Sequence, residues 1–392
     1  MNRLPATERI LLGPGPSMIS PRVMRALSAP VLSHLDPEFV LLLDHLRTQL
    51  AATFKSSPGS LAIAMSGTGT SGMEASIANL VQDRTRVLSI VTGYFGERLA
   101  EMSGRYGATV TRLDVDWGRA CDPQAVRDAL RRNGADVVTL VHAETSTGVL
   151  NPVQQIAAVI REHGAIAIVD AVTSLGGHPL DLDAWGVDAC YSCTQKCIGA
   201  PSGLAPIAFS REALDRRVKC RSFYLDLGLL EAYWVDRKYH HTMSSTLIYA
   251  LSEALASIEE EGLEARWARH HRHHLALAAG LNAIGLDLLP ALGDRLWTLN
   301  AVRVPEGTDE SGVRRTLLRD FNIEIGAGLG PLAGKIWRVG LMGASSSPTL
   351  IVLFLSALEQ VLRQQGHKLP TGSGAAAAID ALAREAPAPT AA

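Results

Sequence analysis

The sequence predicts an α/β fold, with a mainly parallel, doubly wound sheet in a large domain and a smaller α+β domain after it. Short apolar runs alternate with amphipathic stretches over roughly 150 residues, which is typical of strands and helices that alternate around a buried parallel sheet. The alternation ends at a long helical stretch over 245–262. The predicted strands of the large domain are Leu61–Met65, Val87–Val91, Val110–Leu113, Val137–Val141, Ile166–Val169, Ala189–Ser192 and Leu204–Phe209, with helices at Met73–Val81, Pro123–Arg132 and Val153–His163.

The chain divides into four predicted segments. They are an N-terminal arm (1–20), the large domain (21–260), the small domain (261–371) and an Ala- and Pro-rich tail (372–392). The small domain is predicted to contain shorter elements, namely strands at Leu299–Val304 and Ile336–Leu341 and helices at Glu310–Arg319 and Leu350–Arg363. In the tail we expect a helix around Ala375–Arg384 and disorder in the last eight residues.

Charge and hydropathy exclude several classes of function. Lys and Arg number 37 and Asp and Glu number 39, so the charge does not favour nucleic acid or an anionic membrane as a partner. Apolar residues make up 47% of the chain, but none of their runs approaches the roughly 20 residues that span a bilayer. The polar start of the chain lacks the features of a signal peptide. We therefore expect a soluble, cytoplasmic enzyme.

Two clusters of metal-ligating residue types invite a metal site. Cys190 and Cys193 would point to opposite faces of a strand, and no second Cys/His pair follows at zinc-finger spacing. His270, His273 and His274 share one helix face but are interleaved with arginines such as Arg266. We expect a solvated basic helix face there and no metal.

One carboxylate and one lysine follow apolar runs in a way that suits a specific cofactor. Asp170 ends the predicted strand at Ile166–Val169, and Lys196 follows the one at Ala189–Ser192. At adjacent strand ends, a lysine can form a Schiff base with pyridoxal phosphate while an aspartate pairs with the ring nitrogen. A structural Asp–Lys ion pair fits the same spacing.

A Gly- and Thr-rich turn, Ser66-Gly-Thr-Gly-Thr-Ser-Gly72, lies between a predicted strand and a helix. Its glycines match a dinucleotide-binding fingerprint, which also requires an acidic residue after the next strand. Here that strand ends in Thr92-Gly-Tyr94, so a pyridine nucleotide is not favoured. Free N–H groups and hydroxyls at a helix start suit a single phosphate, although an ordinary capped turn would have the same sequence.

Two further strand ends carry compatible groups. Phe95 lies between glycines after the strand at Val87–Val91, where its ring can stack on a flat cofactor. The hydroxyl-rich segment 142–148, which includes Thr145, follows the strand at Val137–Val141. Ligands of open parallel sheets bind at the carboxyl ends of the strands. This clustering favours a cofactor site over isolated structural features.

These motifs resemble those of the class V, fold-type-I aminotransferases that use pyridoxal phosphate. They are most similar to the alanine–glyoxylate aminotransferase family, with its serine–glyoxylate and ureidoglycine–glyoxylate relatives. The resemblance runs from about Leu11 to about Arg363. It rests on Leu11-Leu-Gly-Pro-Gly-Pro-Ser17, Ser66-Gly-Thr-Gly-Thr70, Gly93-Tyr-Phe-Gly96, His142-Ala-Glu-Thr-Ser-Thr-Gly-Val149, Val169-Asp-Ala-Val-Thr-Ser-Leu-Gly-Gly177, Ser192-Cys-Thr-Gln-Lys196, Tyr239-His-His-Thr242 and Gly334-Lys-Ile-Trp-Arg-Val-Gly-Leu-Met-Gly343.

The resemblance implies roles for the matching residues. Lys196 would be the Schiff-base residue and Asp170 the partner of the pyridine nitrogen, and these two are the predicted catalytic residues. Phe95 would stack on the ring, where animal relatives carry tryptophan, and Thr70 replaces a histidine of some relatives. The other predicted cofactor contacts are Thr68, Gly69, Thr145 and Gln195, with Tyr239 and Thr242 from a neighbouring subunit, and the predicted substrate contacts are Arg338, Gly15 and His34.

The family resemblance also implies the reaction and the assembly. It implies a homodimer with shared active sites that transfers the amino group of alanine to glyoxylate by a ping-pong mechanism. Serine and (S)-ureidoglycine stay open as amino donors. The imidazole of His34 and the phenol of Tyr239 favour alanine, because the ureidoglycine branch favours amides at these positions. A cysteine desulfurase is excluded, since it needs a cysteine far beyond the lysine and the last one here is Cys220.

Overall fold

A computed structural model describes residues 7–384. The strands of this region are β1 (Ile10–Leu11), β2 (Leu61–Gly67), β3 (Arg86–Val91), β4 (Thr109–Asp114), β5 (Val137–Val141), β6 (Ala143–Glu144), β7 (Val149–Leu150), β8 (Ile166–Asp170), β9 (Ala189–Tyr191), β10 (Gly203–Phe209), β11 (Leu299–Arg303), β12 (Ile323–Glu324), β13 (Gly326–Ala327) and β14 (Ile336–Gly340). The helices are α1 (Pro21–Ala26), α2 (Pro37–Phe54), α3 (Gly69–Leu80), α4 (Tyr94–Arg105), α5 (Pro123–Asn133), α6 (Val153–Glu162), α7 (Leu182–Trp185), α8 (Arg211–Asp215), α9 (Leu227–Trp234), α10 (Ser245–Glu261), α11 (Leu263–Ala283), α12 (Glu310–Phe321), α13 (Pro348–Gln364) and α14 (Ser373–Arg384).

A seven-stranded sheet in the order β2-β10-β9-β8-β5-β3-β4 forms the centre of the molecule. Strand β10 is antiparallel to both neighbours, and the other pairs are parallel, so six of the seven strands share one direction. Strands β5 and β8 are buried along their whole length, as expected for a sheet covered on both faces. The predicted α/β class is confirmed, and each predicted strand matches an observed one to within two residues.

A smaller three-stranded sheet in the order β11-β14-β13 is antiparallel and packs with the C-terminal helices. Two main apolar cores follow this division. One extends from Val23 to Ile258, and the other joins Leu12 to residues from Ala276 to Ala378. Strand β1 pairs with β12, so the N-terminal arm belongs to the second core. We propose a domain boundary near residue 260, between the two cores.

Helix α11 differs from its prediction. The side chains of His270, His273 and His274 are 0–2% exposed, so the expected solvated face is wrong. His274 Nδ1 lies 2.7 Å from Asn300 Oδ1, and Arg266 donates to the carbonyl of Cys197 at 2.7 Å. Arg266 and these three histidines are buried because α11 packs against α10, α13 and α14.

The tail is helical where the structure describes it. Helix α14 packs on α11 and α13, and Ala378 is fully buried. The predicted disorder of residues 385–392 concerns positions outside the described residues. Among residues 7–384, no helix has the length and apolar character that a bilayer crossing requires.

Candidate active site

The carboxyl ends of β2, β3, β5, β8 and β9 surround a cavity of about 270 Å³. Because these strands are parallel to one another, the segments that follow them meet at one edge of the sheet. The cavity is lined by nine of the predicted site residues, namely Gly15, Thr68, Gly69, Thr70, Phe95, Thr145, Asp170, Gln195 and Lys196. Sequence reasoning missed seven others, namely Pro16, Met73, Arg98, Val141, Ala143, Val172 and Ser202.

Lys196 lies in a short helical turn, Thr194–Ile198, after β9. Its Nζ donates a hydrogen bond to the carbonyl of Pro14. Gly15 has a φ of +113°, which favours glycine, and a Cβ there would lie 2.7 Å from the Lys196 amine. Burial lowers the pKa of Lys196, and the positive charge of Arg338 lowers it further. These surroundings favour a neutral amine, which can accept a proton.

Asp170 ends β8 and is 3% exposed. Its Oδ1 accepts from the backbone N–H of Val172 and its Oδ2 from the hydroxyl of Tyr191, both at 2.8 Å. Tyr191 was not predicted, and it reaches Asp170 because the two residues are partners in the register of β8 and β9. Burial raises the pKa of Asp170 to about 6 against the effect of these donors. A cation beside the carboxylate, such as a protonated ring nitrogen, would stabilise its ionised form.

The turn at 68–70 opens α3 directly after β2. Within residues 7–384, no side chain caps this helix start. The first turn of α3 therefore has N–H groups without a side-chain acceptor. Gln195 lines the same cavity, and its Oε1 is buried without a partner in the described region. An uncapped helix start with hydroxyls from Thr68 and Thr70 fits a phosphate group.

Phe95 and Arg98 share the first turns of α4. The guanidinium of Arg98 lies 5.1 Å from the centre of the Phe95 ring and 5.2 Å from that of Tyr94. It also donates to Thr70 Oγ1 at 3.3 Å. Arg98 thus joins the stacking ring to the phosphate turn and adds a positive charge to the cavity. Its spacing of three residues from Phe95 on a helix was the sequence signal for this contact.

Arg338 lies in β14 of the small sheet and is 7% exposed. It is not among the residues that line the cavity, but its Nη1 donates to the carbonyl of Thr145 at 3.4 Å. Its Nε donates to the carbonyl of Ala327 at 2.6 Å, and within residues 7–384 Nη2 has no partner. Burial lowers the pKa of Arg338 to about 10, so the guanidinium is charged at neutral pH.

His34, Tyr239 and Thr242 lie away from the cavity lining of their own chain. The rings of His34 and Tyr239 contact each other, with centroids 5.4 Å apart, and Tyr239 is 63% exposed. Thr242 is also exposed. A single chain therefore does not bring these three predicted residues to Lys196.

The cavity contains a lysine, a buried carboxylate and a turn that fits a phosphate group, all at the strand ends of a mainly parallel sheet. This combination defines a fold-type-I enzyme that depends on pyridoxal phosphate. The family described as aminotransferase class-V matches residues 11–333. The chain belongs to the class V aminotransferases, and its cofactor is pyridoxal phosphate.

Similarity to known proteins extends over almost the whole chain. A Drosophila melanogaster alanine–glyoxylate aminotransferase is 36% identical over 91% of this chain and 93% of its own length. The crystal structure of a Nostoc alanine–glyoxylate aminotransferase has a TM-score of 0.90 and 46% identity, and covers 93% of this chain and 97% of its own. That of a Bacillus subtilis ureidoglycine–glyoxylate aminotransferase has a TM-score of 0.94 and 38% identity, covering 97% and 99%.

The described part of the chain contains five free cysteines. There, no group of three or more His, Cys, Asp or Glu side chains is arranged to hold a metal ion. The cysteines at 190, 193 and 197 are buried, and burial raises the pKa of each thiol.

Proposed function

We propose that this aminotransferase transfers the amino group of alanine to glyoxylate, giving glycine and a 2-oxo acid, with serine as an additional donor. The observation that carries the proposal is the convergence of Lys196, Asp170 and the 68–70 turn on one cavity, with the Arg338 guanidinium beside it. Transfer to glyoxylate is also the activity named for the similar proteins from Nostoc, Drosophila and Bacillus. Serine–glyoxylate and ureidoglycine–glyoxylate transfer are the alternatives.

Lys196 and Asp170 carry the chemistry in this proposal. When bound, pyridoxal phosphate supplies the aldehyde that takes up the amino group and the ring that accepts electrons. Lys196 Nζ would accept the proton from Cα of the donor and would deliver it to the cofactor carbon that takes up the amino group. Its lowered pKa supports this role, since a neutral amine is required. Asp170 holds the proton on the ring nitrogen.

The remaining cavity residues position the two molecules. Among the residues that line the cavity, Thr68, Gly69, Thr70 and Gln195 would hold the phosphate, the Phe95 ring would cover the flat face of the cofactor, and Thr145 would contact its hydroxyl. Arg338 binds the carboxylate of the donor and then that of glyoxylate. With Nε bonded to Ala327, the edge formed by Nη1 and Nη2 is the one that can receive both carboxylate oxygens.

The choice of alanine rests on two side chains. His34 and Tyr239 carry an imidazole and a phenol, where the ureidoglycine branch favours amides. Incubation with glyoxylate and a panel of amino donors, with glycine as the measured product, tests this choice. Glycine formation with ureidoglycine alone would contradict it.

We further propose that the enzyme is a homodimer in which His34, Tyr239 and Thr242 act at the partner's site. An exposed apolar surface supports this proposal. We call it the aromatic face, and it comprises Val31, Leu35, Leu41, Phe223 and Tyr239, which are 53–75% exposed. Its two segments are joined because Tyr233 donates to the carbonyl of His34 at 3.4 Å and the ring of His34 contacts that of Tyr239. An exposed apolar patch of this kind is typical of a protein–protein interface.

A further inference from the structure

Glu144 is a fully buried carboxylate behind the cavity wall, between the lining residues Ala143 and Thr145. Its oxygens accept from the backbone N–H of Gly96 at 3.3 Å, from that of Ser146 at 3.1 Å, and from the Ser146 hydroxyl at 2.5 Å. The N–H of Phe95 lies 3.5 Å from the same carboxylate. Glu144 therefore touches two segments that both contribute to the cavity.

The first of these segments is the start of α4. Its N-cap is Gly93, which has no side chain to accept from the free N–H groups of the first turn. Glu144 supplies that acceptor from a different part of the chain, and a carboxylate at a helix N-terminus also interacts favourably with the helix dipole. A Cβ at Gly93 would lie 2.6 Å from Cγ of Glu144, so glycine is needed for this approach.

The second segment is the turn after β6, which leads to the substrate side of the cavity. The carbonyl of Thr145 accepts from Arg338, and the Thr145 hydroxyl lies 2.5 Å from that of Thr173. The Ser146 hydroxyl also accepts from the N–H of Tyr94 at 3.0 Å, which ties the turn back to α4. One carboxylate thus links the backbone that carries Phe95 to the backbone that contacts Arg338.

We propose that Glu144 is a positioning residue that fixes the Phe95 ring against the cofactor and the Thr145 carbonyl against Arg338. This inference rests on the roles proposed above for Phe95 and Arg338. It needs the two acceptor oxygens of a carboxyl group, since donors approach from both α4 and Ser146. Burial raises the pKa of Glu144 to about 7, against the effect of the Ser146 and Gly96 donors.

The variant Glu144→Gln tests the inference because it keeps the size of the side chain and replaces one acceptor by an NH₂ donor. That group faces backbone N–H donors on one side and cannot bond to them. We expect the circular dichroism of the bound cofactor to change, because it reports the packing of the adjacent ring. We also expect about a tenfold lower kcat/KM, the size of one lost hydrogen bond to a charged group, with most of the loss in KM.

Glu359→Gln is the matched control. Glu359 is 2% exposed and also accepts from two backbone N–H groups, those of Gly372 at 2.8 Å and Gly374 at 2.7 Å. It lies in α13 and contacts the start of α14, and it does not line the cavity. This variant should have a lower melting temperature than the wild type, while the cofactor dichroism and kcat/KM stay unchanged.

A second variant covers the case in which Glu144→Gln does not fold. In Gly93→Ala the added Cβ would lie 2.4 Å from Ser146 Oγ and 2.6 Å from Glu144 Cγ. It therefore displaces the contact between Glu144 and Ser146 while the carboxylate remains, and the same change in dichroism is expected. Wild-type dichroism and kcat/KM in the folded variant would overturn the inference. The proposed substrates are tested separately. They would be contradicted if the wild type formed no glycine from alanine and glyoxylate, and the dichroism of the bound cofactor would still report on Glu144.

Discussion

At the scale of single residues, Lys196 differs from the surface lysines because it is buried and its pKa is lowered. The loaded enzyme should absorb visible light through a cofactor linked to Lys196, and Lys196→Ala should remove the link while Gln195 and the 68–70 turn retain the phosphate. Reduction with borohydride followed by peptide mass spectrometry measures the linkage directly. Lys219→Ala changes an exposed lysine and should behave as the wild type. Cofactor mass on any peptide other than that of Lys196 would contradict the assignment.

Arg338 should govern affinity for the substrate and not for the cofactor. Loss of a buried guanidinium–carboxylate pair costs on the order of 2–5 kcal/mol, so Arg338→Ala should lower kcat/KM by at least about 30-fold for both alanine and glyoxylate. Arg338→Lys keeps the charge but not the two-pronged donor, and should recover only part of the loss. The dissociation constant of pyridoxal phosphate should be unchanged in both variants.

A control for Arg338 is available on the neighbouring strand. Arg303 lies in β11, which pairs with β14, and its side chain is exposed. Arg303→Ala should therefore have near-normal kcat/KM. If Arg338→Ala were equally active with both substrates, another group would have to hold the carboxylate.

At the scale of elements, the sequence predicted the sheet well and helix α11 poorly. Buried parallel strands are near-continuous apolar runs, so their positions follow from local sequence. The side chains of His270 and His274 are buried by tertiary packing, and His274 contacts Asn300 of β11, which is distant in sequence. The local sequence pattern could not predict this burial.

The same distinction applies to the site. Strand ends predicted Lys196, Asp170 and the 68–70 turn, since a parallel sheet brings its carboxyl ends together. The contact of Tyr191 with Asp170 depends on the register of two strands, and that of Arg338 with Thr145 joins β14 of the small sheet to the segment after β6. These long-range contacts are set by tertiary packing, so the sequence pattern alone did not contain them.

The buried histidines predict a loss of stability in acid. Burial lowers the pKa of His142 and that of His274 to about 4, against about 6.5 in an unfolded chain. Both imidazoles are neutral in the folded protein, so their stabilisation is complete above pH 6.5 and is lost as the pH falls towards 4. At pH 5 the loss amounts to roughly 2 kcal/mol for each.

Denaturant unfolding at pH 7.5 and pH 5.0 measures this effect. In His274→Gln the decrease in unfolding free energy between the two pH values should be smaller than in the wild type by roughly 2 kcal/mol. His45 is exposed, and His45→Gln should show the wild-type decrease. An equal decrease in all three proteins would mean that His274 does not titrate with unfolding.

At the scale of the whole molecule, the aromatic face of one chain and the cavity of another are related through the proposed dimer. Tyr239 and Thr242 are exposed in a single chain and do not line its own cavity, although the family pattern assigns both to the phosphate site. The two observations agree if a second copy covers the aromatic face and each copy's Tyr239 enters the other's site. A twofold axis makes this exchange reciprocal.

Mixing two inactive variants tests the exchange. One carries Lys196→Ala, and the other carries Tyr239→Ala together with Thr242→Ala. A mixed dimer has one site with both defects and one intact site, which combines Lys196 of the second variant with Tyr239 and Thr242 of the first. Equal mixing gives half mixed dimers, so about a quarter of wild-type activity should return. If native mass spectrometry shows that the subunits have exchanged and no activity returns, Tyr239 and Thr242 do not act across the interface.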